Sequence, residues 1–233
     1  IRRRLAQDRP DAFLPDLAMA LHNLGMMRSN LGRREDALQA SEEAVELFRR
    51  LAQDRPDAFL PDLATALNNL GNRYDNLGRR EDALQASEEA SELYRRLARD
   101  RPDAFLPNLA SALNNLGMMR SNLGRREDAL QASEEAVELF RRLAQDRPDA
   151  FLPDLATALN NLGNRYDNLG RREDALQASE EASELYRRLA HDRPDAFLRD
   201  LATALGARGS IFRAVDDPAS AARCFREGVE VLS

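Results

Sequence analysis

Apolar residues recur along this chain at spacings of three and four, in blocks separated by short polar punctuation. In the second block Leu63, Leu67, Leu70 and Tyr74 share one stripe, which predicts a helix from about Asp57 to Asn76. Gly78 follows the last periodic residue and is expected to close that helix in the left-handed conformation. A second stripe, Ala83, Ser87, Ala90, Leu93, Tyr94 and Leu97, predicts another helix from about Arg80 to Ala98. The small residues in its first half predict a close approach by the first helix. Asp100-Arg101-Pro102-Asp103 then breaks the pattern. Proline restricts the residue before it, and Asp103 is the expected N-cap of the next helix. Pro61, Pro107 and Pro153 fall just inside the first helix of their pairs. They sit either in its first turn, where the missing N–H costs little, or after a one-turn prelude followed by a kink. Arg199 takes this place in the last pair.

The helix pair repeats. The string Asp-Arg-Pro-Asp-Ala-Phe-Leu begins at Asp8, Asp54, Asp100, Asp146 and Asp192, every 46 residues. A longer period of 92 overlies it, because residues 8–92 and 100–184 differ only at Asp16/Asn108, Met19/Ser111 and His22/Asn114. Two repeat types therefore alternate. A two-helix unit of this size cannot bury its apolar face alone, and stacked neighbours create a continuous core. The expected fold is all-α, a right-handed superhelical solenoid of antiparallel helix pairs, with a concave groove lined by the first, or A, helices. The expected division is one array over 1–233. Residues 1–8 would be the end of a preceding repeat helix, followed by repeats at about 9–54, 55–100, 101–146 and 147–192. Residues 193–233 read as a divergent C-terminal capping repeat, in which Asp217 is the N-cap, Pro218 the first helical residue and Arg208 replaces a stripe leucine.

Leu67-Asn68-Asn69-Leu70-Gly71-Asn72-Arg73-Tyr74, followed by Gly78, Ala83 and Ala90, resembles the tetratricopeptide signature. The long unit, with Arg-Pro-Asp before Leu-Asn-Asn-Leu-Gly, looks most like the repeats of kinesin light chains, and the resemblance covers essentially the whole chain. It implies protein or peptide binding in the groove. Bacterial arrays of this kind are commonly appended to signalling ATPases or caspase-like proteins as sensors or scaffolds. Two positions depart from the family pattern. The A-helix aromatic is Tyr74 and Tyr166 in one repeat type but Arg28 and Arg120 in the other. The aromatic of the second, or B, helix is Ser41, Ser87, Ser133 and Ser179, and returns only as Phe225.

Positions of the A helices that point away from the B helices are the candidate peptide-binding groove. They are Asn23, Met26 and Asn30; Asn68, Asn69, Asn72 and Asn76; Asn114, Asn115, Met118 and Asn122; and Asn160, Asn161, Asn164 and Asn168. Asparagine is a mediocre helix former, so a ladder of it on helices calls for a reason. Each carboxamide offers two donors and an acceptor, which suits an extended peptide backbone. In the resembling light-chain repeats, groove asparagines serve that purpose. The other reading is that they bond neighbouring helices to one another. Thr65 falls on the same side, and Asn72-Arg73 alternating with Met26-Met27 would give polar and soft apolar patches, while methionine equally fills gaps in a core, the expected place of Met27.

Composition removes other classes. Every basic residue is Arg, which suggests a GC-rich, bacterial source, and the net charge of −6 argues against nucleic-acid binding. No apolar run approaches the roughly 20 residues that span a membrane. The single Cys224 excludes a disulfide framework and a multi-cysteine metal site, and is expected as a small packing residue on the last B helix. His22 and His191 belong to no catalytic or metal pattern, and Gly206-Ala207-Arg208-Gly209-Ser210 lies in an A-helix register rather than in a phosphate loop. Glu42-Glu43 and its copies read as a solvated face. The chain is expected to be no enzyme, to hold no cofactor or metal, and to reside in the cytoplasm. Its partner is expected to be a protein or peptide, with self-association or a purely structural spacer as the alternatives. Ile1-Arg2-Arg3-Arg4-Leu5 repeats the helix end at Leu47–Leu51, so the chain reads as a piece of a longer protein.

Overall fold

A computed structural model describes residues 9–232, so the expected helix end at 1–8 lies outside the described residues. The described residues form ten helices and no strand. They are α1 (Pro10–Asn30), α2 (Arg34–Asp54), α3 (Pro56–Asn76), α4 (Arg80–Asp100), α5 (Pro102–Asn122), α6 (Arg126–Asp146), α7 (Pro148–Asn168), α8 (Arg172–Asp192), α9 (Pro194–Ala214) and α10 (Pro218–Glu230). Odd-numbered helices are the A helices. The chain divides into two compact units, 1–123 and 124–233.

Each pair is antiparallel. In unit 1, Gly71 of α3 faces Ser87 of α4, while six residues earlier Thr65 meets Tyr94, seven residues later. The crossing is tight because both sides are small. A Cβ added at Gly71 would lie 2.6 Å from Ser87 Oγ and 3.2 Å from the Ala83 carbonyl. Ser87 is 1% exposed, which explains why serine replaces the expected aromatic. In unit 2 the last pair solves the same contact differently, with Phe225 of α10 laid against Gly209 of α9. The core of unit 1 runs between pairs, joining Val45 and Phe48 of α2 to Leu63, Leu67 and Leu70 of α3. In unit 2, Tyr186 and Leu189 of α8 join Leu201, Ala204 and Leu205 of α9. Burying each of the larger of these, the valine, the leucines and the phenylalanine, stabilises by about 1.5–3 kcal/mol.

The punctuation behaves as expected at helix ends and differs at helix starts. Gly32, Gly78, Gly124 and Gly170 have φ between 72° and 75°, and in the last pair Asp216 takes the left-handed place at φ 57°. The Asp217 carboxylate accepts from Ser220 N at 3.0 Å, with Pro218 beginning α10. Asp103, however, is not an N-cap. The α5 N-cap is Arg101, which makes no side-chain capping bond, and Pro102 begins the helix. Asp103 therefore sits in the first turn, where its charge complements the helix dipole. The arginine acts differently: Arg55, Arg101, Arg147 and Arg193 each stack over the phenylalanine four residues on, at 4.8–4.9 Å. Each stack is worth about 0.5–1 kcal/mol and holds the entry turn. Pro61, Pro107 and Pro153 lie inside helices that begin one turn earlier and run through them without a break. Thr65, Ser111 and Thr157 hydroxyls donate back to the proline carbonyls at 2.9–3.0 Å.

Candidate functional site

The asparagine rows lie on the A helices, and the structure brings some of them together. In unit 1, Asn115 Nδ2 donates to Asn68 Oδ1 at 3.1 Å and Asn122 Nδ2 to Asp75 Oδ1 at 2.7 Å. Both bonds join α3 to α5 across 47 residues, so neighbouring A helices run parallel and the rows stitch them. Asn68 Nδ2 has no hydrogen-bond partner among the described residues. Asn72 Oδ1 is buried without a partner. The main-chain carbonyls of Asn69 and Asn76 accept from Arg73 and Arg34. On α1, Asn23, Met26 and Asn30 are exposed, and on α5 Asn114, Asn115 and Met118 are half-buried while Asn122 is exposed.

In unit 2, Asn160, Asn161 and Asn164 are half-buried on α7 and Asn168 is exposed. Asn160 holds the register of Asn68, but its acceptor oxygen is buried and unpaired. The position that supplied Asn115 to Asn68 is Ala207 here, on α9, and alanine has no donor. The ladder therefore ends on an unsatisfied oxygen.

Three neighbours were misread from sequence. Thr65 Oγ1 is 2.8 Å from the Tyr94 hydroxyl, and Thr157 Oγ1 is equally far from that of Tyr186, so both tie A to B within a pair. Arg73 is only 8% exposed, so it is no open polar patch. Its Nη1 donates to the Asn69 carbonyl at 3.0 Å, its Nε has no partner, and burial lowers the guanidinium pKa. Arg165 shares that direction and cause. The available signal was the alternation with methionine: Met119, at the same register, is 1% exposed. Glu42, expected on a solvated face, accepts from the Tyr74 hydroxyl at 2.8 Å and lies 3.6 Å from Arg79, whose guanidinium stacks on Tyr74 at 4.4 Å. Burial and this carboxylate push Tyr74 up to about 12, and Tyr166 beside Glu134 likewise to about 12.

Two depressions between successive B helices recur 92 residues apart. One, about 220 Å³, is floored by Val45, Leu67 and Leu70 and bridged by the Arg49–Glu89 pair. The other, about 160 Å³, is bridged by Arg141–Glu181. Among the described residues no three His, Cys, Asp or Glu side chains gather as a metal site, and no helix is long and apolar enough to cross a membrane. Cys224 is buried, at 7% exposure.

The tetratricopeptide repeat profile matches residues 16–96 and 108–188. No curated protein sequence is significantly similar to the chain. Among solved structures, BtubC (BKLC) of P. vanneervenii is similar with 24% identity over 99% of this chain and 85% of its own, at a TM-score of 0.76. A putative kinesin light chain of Podosopora anserina with nearly identical TPR-like repeats is 13% identical over 92% of this chain and 94% of its own, at 0.70. YrrB, a TPR protein with an unusual peptide-binding site, is 17% identical over 99% and 91%, at 0.56. These likenesses concern the fold, and they agree with the antiparallel helix pairs. The chain belongs to the tetratricopeptide repeat family.

Proposed function

We propose that the chain is a non-enzymatic protein- or peptide-binding array, the sensor or scaffold part of a larger bacterial protein. It grips an extended peptide backbone along its A helices. The observation that carries this reading is the incomplete hydrogen bonding of the asparagine rows. Asn68 spends its oxygen on Asn115 and keeps its N–H groups, while the oxygens of Asn72 and Asn160 have no protein partner. Each peptide carbonyl that accepts from a free Asn N–H would add about 0.5–1.5 kcal/mol. Asn164, which repeats Asn72 one period on, also makes no hydrogen bond among the described residues. Membership of a family of interaction scaffolds supports the same reading, as does YrrB, described as carrying a peptide-binding site. The test is selection from a displayed random-peptide library. Enriched peptides should bind Asn68→Ala and Asn72→Ala chains at least tenfold more weakly. Equal binding to both variants would remove the asparagine rows from the site.

A further inference from the structure

The two copies of the duplicated block, residues 8–92 and 100–184, differ at three positions only, and all three lie on α1. They are Asp16, Met19 and His22, where α5 carries Asn108, Ser111 and Asn114. Positions 16, 19, 22 and 26 of a helix fall within about a third of its circumference. Changes without a role would scatter over both helix pairs of the block. These gather on one face of one helix, beside Met26, and they introduce a thioether and an imidazole.

That face is open in every repeat. Met19 is 41% exposed, and Thr65, Ser111, Thr157 and Thr203, at the same register, are exposed in the pairs that follow. Met26 is 42% exposed and stands one turn beyond His22. His22 faces forward, towards α3, because Asn68 at its register bonds forward to Asn115 of α5. Neither exposure therefore depends on what precedes α1.

His22 is half-buried between the two thioethers. Its ring meets Phe48 edge-on, and neither ring nitrogen has a hydrogen-bond partner among the described residues. A neutral imidazole in that condition has a lone pair to offer. Met19 precedes it by three residues and Met26 follows it by four, the two spacings that make side chains neighbours on a helix. Asp62 of α3 is electrostatically coupled to the ring and offsets the positive charge of Arg73, which also acts on it. A carboxylate beside a ligating histidine is the usual outer support of a metal site.

We propose that Met19, His22 and Met26 bind one copper(I) ion through two thioether sulfurs and one imidazole nitrogen. Soft sulfur donors with an imidazole suit copper(I). Zinc prefers four donors drawn from thiolate, imidazole and carboxylate, and calcium and magnesium prefer oxygen. No other A helix carries a histidine at this register, so one ion per chain is expected. The site needs no peptide, and it stands or falls independently of the asparagine rows.

Anaerobic titration with copper(I), read by competition with a colorimetric copper(I) chelator, tests this. The wild-type chain should take up one equivalent, and X-ray absorption should find sulfur and imidazole nitrogen around the metal. Met19→Ser and His22→Asn each give α1 the residue that α5 already carries, so both variants should fold, which circular dichroism checks. Each should weaken binding by at least about tenfold, the loss that even an outer partner of a metal ligand commonly causes. Cys224→Ala should bind as the wild type does, because that buried thiol is on α10. Excess zinc(II) should leave the copper in place. No uptake by the wild type, unchanged affinity in Met19→Ser and His22→Asn, copper lost with Cys224 instead, or displacement by zinc would overturn the proposal.

Discussion

Phe48 on α2 and Leu232 just beyond α10 stand four repeats apart at one register. Phe48 is 1% exposed and Leu232 59%. Both are large and apolar, so the difference is made by what covers them. Phe48 shares a cluster with Leu63 and Leu67 of the following A helix. In a stack where each repeat touches only its neighbours, a side chain's contribution depends on the next repeat as much as on its own. Phe48→Ala should cost about 3–5 kcal/mol, through lost transfer energy and the cavity left behind. Leu232→Ala should change stability by no more than about 0.5 kcal/mol at dilution. Urea unfolding followed by circular dichroism reads both, and comparable losses would break the comparison.

The helix crossing separates the same two regions. At Gly71 an added side chain meets Ser87 Oγ, which can turn away, and the Ala83 carbonyl at 3.2 Å, which cannot. Gly71→Val should therefore cost about 3 kcal/mol of overpacking, and only part of that is recovered by the better helix propensity. At Gly209 the nearest atoms, at 2.7–3.0 Å, all belong to the Phe225 ring. That ring is 37% exposed and can swing outward, so Gly209→Val should cost about 1 kcal/mol. Thermal melts compare the two, and a larger loss at Gly209 would show that the ring is fixed.

The helix frame was legible because local rules and packing agree. Gly78, at φ 74°, and the Leu67–Leu70 stripe each point to the observed ends and faces of α3. The start of α5 was less so. Asp103 has capping chemistry, yet Pro102 takes the first helical position and moves Asp103 into the first turn. The site was legible as positions but not as bonds. Sequence places Asn68 and Asn115 on equivalent faces. Their pairing depends on the offset of one A helix against the next, which only packing decides. Burial of Arg73 was hidden by its charge, although Met119 at the same register disclosed an enclosed position.

Tyr74 and Arg120 sharpen the comparison between the two repeat types. Tyr74 donates to Glu42, whereas Arg120 at the same register lies 3.5 Å from Glu88. Tyr74→Phe should cost about 1 kcal/mol at neutral pH, the net value of one hydrogen bond. With Tyr74 and Tyr166 pushed up to about 12, the unfolded chain loses its phenol protons first as pH rises from about 10. The stability they contribute is complete below about 10 and falls as pH climbs towards about 12. Tyrosinate absorbance should show this late titration in the folded chain and lose part of it in Tyr74→Phe. Ionisation of all four phenols near the ordinary value of 10.0 would contradict the buried hydroxyl geometry.

The smallest effect belongs to His22, where the later repeats carry Asn68, Asn114 and Asn160. Its ring meets Phe48 edge-on, with centroids 6.5 Å apart. Burial lowers its pKa from the usual 6.5, Arg73 lowers it further, and Asp62 opposes them. Because the folded chain disfavours the proton, stability tied to His22 is present above 6.5 and declines as pH falls below it, where the unfolded chain protonates first. Asparagine does not titrate, so His22→Asn makes the first repeat match its successors and removes this dependence. The two chains carry the same carboxylates, and Asp62 is the one coupled to the imidazole, so the difference between their stabilities reports the His22–Asp62 pair. Denaturant midpoints measured from neutral pH down to mild acid should show the wild type losing ground to His22→Asn. Parallel curves would mean that the packing of α1 on its neighbours holds no preference for the neutral ring.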